Sequence, residues 1–308
     1  MATGRLVPGR LAKIAGLITL VGVTATGCSG SEVLNFGWPD GVSPQADRMR
    51  HFWTWSVIAA LVVGAIVWGL IIWSVIFHRK RGGRMPKQFQ YNHSLEFVYT
   101  VIPLVMVAVL FYFTVITQDY VQQQDKNPDV RVNITAFQWN WEFGYPGYRT
   151  PEGDAVSTVG SSQEIPLLVL PTSETIAYDL RSTDVIHSFW VPQFNFKRDV
   201  FPRPEKNDQI HTFQNTIDRQ GSFVGRCAEL CGTYHSMMNF EVRALSPKLF
   251  DQYMGLRTRN NPQTGEPYTA AEALSKMDCG ELCAPQAVTT RPFDTSRTSR
   301  KATEAAGS

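Results

Sequence analysis

The chain has 308 residues, 44% of them hydrophobic and 12% aromatic, which suffices for a packed core and excludes a disordered or collagen-like protein. Its formal net charge is only +2. The short basic run RKRGGR is too small for the basic surface of a nucleic-acid-binding protein, so no nucleic acid partner is expected.

The N-terminus has the pattern of an export signal. Three basic residues precede the apolar run IAGLITLVGVTATGC, which is too short to span a membrane. Small residues directly before Cys28 predict a lipoprotein-type signal peptide over residues 1–27, with Cys28 lipidated. Because Ala25 occupies the position where such signals usually have leucine, an ordinary signal peptide or a retained anchor are the alternatives.

Two long apolar runs follow the outer N-terminal segment, residues 28–52. Residues 53–77 carry no charge and exceed a bilayer core of roughly 30 Å at about 1.5 Å per residue, and a second run covers residues 97–116. Basic residues lie between them, and short basic loops stay in the cytoplasm: Arg79, Lys80, Arg81, Arg84 and Lys87. Residues 53–117 are therefore predicted to form a transmembrane hairpin in the plasma membrane, with both flanking segments outside. Buried helices of a soluble protein are the alternative.

Residues 118–256 have the pattern of an exported all-β domain. In DVRVNITAFQWNWEFGY the apolar residues alternate and then change parity at Phe137, which indicates one strand with a bulge or with an end buried on both sides. Proline and glycine turns separate further predicted strands of a sandwich: EIPLLVL, ETIAYDLRS, QIHTFQ, GSFVGRC and FEVRAL. The stretch from Gly144 to Gln163, rich in glycine, serine and proline, is predicted to be a surface loop.

The segment GRCAELCGTYHSMMNF, residues 225–240, concentrates metal-binding side chains. An upstream histidine stands at the end of the predicted strand ETIAYDLRSTDVIHSF. Thiolate, imidazole and thioether ligands select copper, whereas zinc would use four of them and leave the methionine without a role. The candidate metal ligands are His187, Cys227, Glu229, Cys231, His235 and Met238. A disulfide between the two cysteines is the common alternative in an exported protein.

The ligand count favours two metal ions. A mononuclear blue-copper site uses one cysteine, so the loop has one thiolate too many. If Cys227 and Cys231 both bridge two coppers, each ion also takes one histidine. Met238 and the backbone carbonyl of Glu229 would then be the two weak axial ligands. Such a centre transfers electrons and makes no bonds.

The motifs CAELCGTYHSMM and DVIHSFWVP resemble those of subunit II of cytochrome c oxidase, whose dinuclear copper centre is called CuA. The resemblance runs from the first span to about residue 250. It implies a membrane α plus all-β fold, in which a two-helix hairpin precedes an exported cupredoxin-like β-sandwich or barrel. It implies the subunit through which electrons enter an aa3-type respiratory oxidase. There CuA accepts electrons from cytochrome c and passes them to the heme of subunit I, where O2 is reduced to water with proton pumping.

The same resemblance implies partners and residue roles. The expected partners are oxidase subunits I and III, membrane lipid, and cytochrome c or a tethered cytochrome domain; hemes reside only in the partner subunit. AFQWNW resembles the stretch whose tryptophan, here Trp139, accepts electrons, although Asn140 replaces the family's usual aromatic residue. LEFVYTVIP resembles the start of the family's second span, where a glutamate helps admit protons, which implies proton uptake at Glu96. The alternative is a solvated acid at the membrane edge. Glu229 corresponds to the residue that touches a magnesium site at the subunit I boundary.

The exported domain is acidic. Residues 118–256 contain 17 acidic residues against 12 Lys plus Arg, a net charge of −5, which would attract a cationic electron donor. The candidate docking acids around Trp139 are Glu142, Asp184, Asp199 and Asp208. A merely solubilising role is the alternative for these acids.

Residues 257–308 form a C-terminal extension. In DCGELCAP, Cys279 and Cys283 repeat the cysteine spacing of the copper loop with no histidine after them, which predicts a local disulfide rather than a second metal centre. The end of the extension, TTRPFDTSRTSRKATEAAGS, has the composition of a disordered segment.

Three rival functions fit the ligand pattern less well. A membrane-held copper carrier or storage protein would use exchangeable thiols and methionine-rich tracts, and the chain has no such tract. Nitrous oxide reductase needs a large histidine-rich domain, but the chain has only six histidines. Subunit II of a quinol oxidase would lack the copper ligands.

Overall fold

A computed structural model describes residues 35–79, 82–83, 85 and 87–292. The predicted signal peptide and the lipidation of Cys28 lie outside the described residues. The helices are α1 (Pro44–Phe77), α2 (His93–Gln122), α3 (Pro247–Arg257) and α4 (Ala270–Ser275). The first strands are β1 (Val130–Phe137), β2 (Asn140–Arg149), β3 (Ala155–Val159), β4 (Leu167–Pro171) and β5 (Thr175–Ser182). The remaining strands are β6 (His187–Val191), β7 (Phe196–Val200), β8 (Thr212–Thr216), β9 (Gly221–Cys227) and β10 (Asn239–Leu245).

Helices α1 and α2 are long and apolar enough to cross a membrane, and they lie side by side with most of their apolar side chains exposed. Helix α1 starts well before the predicted apolar run, because Ser43 accepts a hydrogen bond from the backbone N–H of Ala46 and Pro44 occupies the first turn. Helix α2 contains Pro103.

The β-domain contacts the outer ends of both membrane helices. Before α1, the Val42 backbone N–H donates to the carbonyl of Gln193 at 3.0 Å, and its carbonyl accepts from Asp218 at 2.8 Å. After α2, the Asp125 backbone N–H donates to Gln214 at 2.7 Å. The segment before α1 and the segment after α2 therefore lie on the same side as the β-domain.

Two five-stranded sheets face each other, in the orders β3-β2-β1-β5-β8 and β4-β10-β9-β6-β7. Neighbouring strands are antiparallel, except that β1 pairs in parallel with β5 and β10 with β4. The core between the sheets includes the fully buried Trp141, Phe143 and Phe240. A hairpin of apolar helices followed by a β-sandwich confirms the predicted fold class.

The stretch DVRVNITAFQWNWEFGY is a hairpin, so its interpretation as one bulged strand was wrong. Strands β1 and β2 pair antiparallel with Phe137 opposite Asn140, and Gln138 and Trp139 form the turn. The change in apolar parity arises because the chain reverses, and each strand restarts its own alternation. The predicted loop from Gly144 to Gln163 was also wrong in part, since it contains the end of β2 and all of β3.

Strands β4, β5, β8, β9 and β10 overlap the predicted strands, whereas β7 was missed. His187 does not end the strand that starts near Glu174. A turn separates β5 from β6, and His187 is the first residue of β6. This position places His187 in the other sheet, next to β9.

The extension beyond residue 257 is folded onto the sandwich as far as Pro292. Ala273, Leu274 and Met277 are buried in the same core as the strands. Thr269 and Glu272 form a capping box at the start of α4. Most of the segment predicted to be disordered, residues 293–308, lies outside the described residues.

Candidate metal centre

Three strand ends assemble the site at one end of the second sheet. Strand β6 begins at His187 and pairs with β9, which ends at Cys227, so that Phe189 lies opposite Cys227. The loop after Cys227 returns to the sheet at Met238, where the backbone N–H of Cys227 donates to the carbonyl of Met238 at 3.2 Å. Both ends of the loop are therefore fixed by backbone hydrogen bonds.

The predicted ligands converge inside this loop. The Sγ atoms of Cys227 and Cys231 lie 3.8 Å apart. His187 Nδ1 is 3.9 Å from the Cys227 sulfur, and His235 Nδ1 is 3.6 Å from the Cys231 sulfur. The Glu229 carbonyl oxygen lies 3.3 Å from the Cys227 sulfur, and Met238 Sδ lies 3.9 Å from the Cys231 sulfur.

Both thiols are free and buried, so the alternative disulfide between Cys227 and Cys231 does not form. Although burial raises the pKa of Cys227, hydrogen bonds from the His187 ring and the backbone outweigh it and lower that pKa to about 7. Burial and the neighbouring Cys227 raise the pKa of Cys231 to about 12. A cation between the sulfurs would stabilise both as thiolates, which is the usual condition for binding a soft metal.

Asp184 orients His187, a role that the sequence reasoning missed. Its Oδ1 lies 2.8 Å from His187 Nε2, and its Oδ2 accepts from the backbone N–H of Gln138 at 2.6 Å. With its Nε2–H on a carboxylate, the neutral ring would present an unprotonated Nδ1 to a metal ion beside the thiols. The spacing DVIH is the signal that could have indicated this pair, because it places the carboxylate three residues before a candidate ligand histidine.

Trp139 lies directly over the copper loop. Its indole Nε1–H donates to the Cys231 carbonyl at 3.2 Å, and Gln138 Nε2 donates to the same carbonyl at 2.7 Å. The half-buried indole also packs edge-on against Tyr234, with ring centroids 4.9 Å apart. A conjugated ring is thus one hydrogen bond away from a candidate ligand.

The other predicted site residues are not gathered here. Glu96 caps the start of α2 by accepting from the Asn92 backbone N–H at 2.9 Å, at the opposite end of the helix from the β-domain. Glu142, Asp199 and Asp208 lie on β2, on β7 and after the turn Pro204–Asn207. The sulfurs of Cys279 and Cys283 are bonded to each other, with their Cα atoms 5.3 Å apart.

Family models match both parts of the chain. The cytochrome C oxidase subunit II transmembrane domain matches residues 31–127, and the periplasmic domain of the same subunit matches residues 130–245. The chain belongs to the cytochrome c oxidase subunit II family. The expected family is therefore confirmed, and the chain is a membrane protein with an exported domain and a subunit of a cytochrome c oxidase.

Relatives of this oxidase subunit match along nearly their whole length. A probable cytochrome c oxidase subunit 2 of Nocardia farcinica is 46% identical, over 96% of this chain and 91% of its own. Cytochrome c oxidase subunit 2 of Mycobacterium bovis is 44% identical (94% and 90%), and that of Corynebacterium glutamicum is 40% identical (95% and 95%). The crystal structure of the periplasmic domain of subunit II of cytochrome oxidase from Bradyrhizobium japonicum is 24% identical over 43% of this chain and 95% of its own, with a TM-score of 0.36.

The donor set fits copper. His187, Cys227 and Cys231 are buried, and their ligand atoms lie within 4.8 Å of one another. Two sulfurs, two imidazoles and a thioether form a soft set of the kind that selects copper.

Proposed function

We propose that this subunit receives electrons from cytochrome c, or from a tethered cytochrome domain, at Trp139. It then passes them through a dinuclear copper centre of the CuA type to the heme of subunit I in an aa3-type respiratory oxidase. His187, Cys227, Cys231, His235, Met238 and the backbone carbonyl of Glu229 would hold the two ions. The bound pair would supply a one-electron carrier that changes little in geometry on reduction.

The pairing of donors around two sulfurs carries this proposal. Each cysteine sulfur has one histidine Nδ1 within 3.9 Å, and each has one weak donor, the Glu229 carbonyl or the Met238 thioether, at a similar distance. Such twofold distribution matches two metal ions, because a single ion would leave one thiolate surplus. The burial and fixed loop ends argue against a carrier with exchangeable thiols.

The residues around the centre would favour electron transfer. Buried aromatic rings exclude water beneath the loop, including Trp141, whose indole N–H donates to the Met238 carbonyl at 3.3 Å. The contact from Trp139 to Cys231 offers a short route from the protein surface to the centre. Because Asp184 is engaged with His187, we assign it to ligand orientation rather than to the docking rim.

Contacts with other subunits follow from exposed groups beside the site. The Glu229 side chain is exposed although its carbonyl faces the thiols, so its carboxylate is free to hold magnesium at the boundary with subunit I. The neighbouring Leu230 is 79% exposed and would pack against the same partner subunit. Subunit III and membrane lipid would cover other parts of the helical hairpin.

On the membrane side, we assign proton uptake to Glu96. Glu96 lies 26 residues before Gln122, the last residue of α2, and this length of roughly 39 Å at about 1.5 Å per residue is enough to cross a bilayer. The basic loop before α2 favours the cytoplasm for that end, so the processed N-terminus, with Cys28 lipidated, and the copper domain would both lie outside.

The decisive experiment is a paramagnetic resonance spectrum of the copper-loaded oxidase, combined with Trp139→Ala. We expect the hyperfine pattern of one electron shared equally by two copper nuclei. We also expect Trp139→Ala to retain this spectrum while blocking reduction by the electron donor. Trp190→Ala is the matched control, because the Trp190 ring contacts Lys197 on the neighbouring strand β7. A mononuclear copper spectrum, or normal reduction of the Trp139 variant, would refute the assignment.

A further inference from the structure

An ion pair is fully buried on the outward face of β10. Glu241 and Arg243 alternate with the core residues Phe240 and Val242, so their side chains point away from the sandwich core. Both are nevertheless 0% exposed, and they contact each other directly. Residues Cys279–Pro292, here called the strap, cover them.

The ion pair binds the main chain of the strap. Arg243 donates to the carbonyls of Leu282 at 2.7 Å, Ala284 at 3.1 Å and Gln286 at 3.2 Å. The second carboxylate oxygen of Glu241 accepts from the backbone N–H groups of Val288 at 2.8 Å and Thr289 at 2.7 Å, and from the Thr289 hydroxyl at 2.6 Å. Buried charges that are paired and hydrogen-bonded in this way hold their partners firmly, because releasing either one would leave a charge uncompensated.

The strap runs back along β10 toward the copper loop. Arg243 holds its first half and Glu241 its second half, so the next contact lies near Asn239, the residue that follows Met238. There Pro292 and Asn239 line the same cleft. The disulfide between Cys279 and Cys283 fixes the opposite end of the strap.

The cleft that the strap completes has a volume of about 310 Å³ and contains the electron-accepting face of Trp139. Tyr234, Met237 and Ser161 are also among the residues that line it. Asn140 holds the wall at Ser161 in place, since its Nδ2 donates to the Ser161 carbonyl at 3.0 Å. A side-chain carbon at Gly160 would collide with Asn140 and Pro166, so this wall is closely packed.

None of the described residues that line the cleft is charged. The acids expected to surround Trp139 are not among the lining residues: Asp184, although it accepts from the backbone N–H of Gln138, is bonded to His187, and Glu142, Asp199 and Asp208 do not line the cleft. Arg291, exposed at the end of the strap, adds a positive charge beside it. Contact at Trp139 therefore depends on shape and uncharged groups, because a charge on a docking partner would lose its hydration without a charged lining residue to pair with.

We propose that the strap and Asn140 build a docking cleft for an uncharged, protruding segment of the electron donor. The proposal rests on electron uptake at Trp139 as proposed above, and it adds the surface that recognises the electron donor. Acidic groups farther away would affect only the rate of encounter.

The first test places a charge in the cleft of the assembled oxidase. Ser161→Asp should raise KM for the electron donor about tenfold, the usual scale for a disrupted interface contact, and leave kcat and the copper spectrum unchanged. Gln263→Asp, on an exposed turn that does not line the cleft, should leave KM unchanged. A KM for Ser161→Asp that is unchanged, or lower because the acid attracts a cationic donor, would overturn the proposal.

The second test removes the strap. A chain ended after Asp278 lacks it, and its Glu241–Arg243 pair becomes exposed to water, whereas a chain ended after Pro292 retains it. We expect a KM increase of about tenfold for the shorter chain only, with the copper spectrum retained. Equal KM values for the two chains, or a lower KM without the strap, would overturn the proposal. Normal electron uptake in Trp139→Ala would instead refute the proposed function, so the two failures are distinguishable.

Discussion

Replacing Asp184 with asparagine should weaken copper binding without unfolding the domain. The carboxylate accepts from His187 Nε2 at 2.8 Å and from two backbone N–H groups, those of Gln138 and Val185, at 2.6 Å each. Asparagine has the same shape but only one acceptor oxygen. Its NH2 group would face N–H groups that need an acceptor. His187 then loses the partner that directs its unprotonated Nδ1 toward the thiols.

The expected loss of copper affinity follows from the burial of His187. Its side chain is 0% exposed, so water does not replace the carboxylate as its partner. Loss of such an outer partner typically lowers metal affinity about 10- to 100-fold, or roughly 1.4 to 2.7 kcal/mol. The assay is a competition titration of copper against a chelator. The control is Asp199→Asn, which removes the same charge from β7 opposite Ser188. An affinity within about twofold of the original for Asp184→Asn would show that the carboxylate does not orient the ligand.

Four further perturbations test separate parts of the molecule. Cys231→Ser should abolish the dinuclear copper spectrum and oxidase turnover while membrane insertion persists, because a hydroxyl does not bridge copper; retained turnover would contradict the ligand assignment. Glu96→Gln should slow turnover with an unchanged copper spectrum, and equal turnover across neutral to alkaline pH would leave Glu96 as a solvated cap. Glu241→Gln leaves Arg243 buried without its charge partner, a loss of about 3–5 kcal/mol, so the thermal midpoint should fall by roughly 10 °C; Glu266→Gln, on the surface, is the control. Hydrogen bonds from Thr269 lower the pKa of Glu272 below 4.5. Its stabilisation is thus present above that pH and lost below it, so Glu272→Ala should lower the midpoint by about 2–4 °C at neutral pH and by less in acid.

The sequence by itself determined the membrane hairpin and the chemistry of the metal loop. Long uncharged runs around a basic loop have few other stable solutions, because unpaired backbone groups are excluded from lipid. The spacing of Cys227, Cys231, His235 and Met238 is local, so one loop gathers most of the ligand set before any distant contact forms. The family resemblance rested on the same short motifs and was confirmed.

Distant contacts were decided only by the tertiary structure. The hairpin at Trp139 was misjudged because a parity change in sequence does not distinguish a bulge from a reversal. The strand containing His187 was misjudged because the turn at residues 183–186 contains no glycine or proline to indicate it. In the sequence Asp184 has the features of a surface acid. Only the fold shows that His187, at the start of β6, contacts its carboxylate. The strap was hidden for the same reason: charged residues at alternate positions of β10 indicate a solvent-facing side, and only a segment about 40 residues later, folded back over them, buries both charges. Partners so far apart along the chain leave no local pattern, since their pairing depends on how the whole sandwich packs.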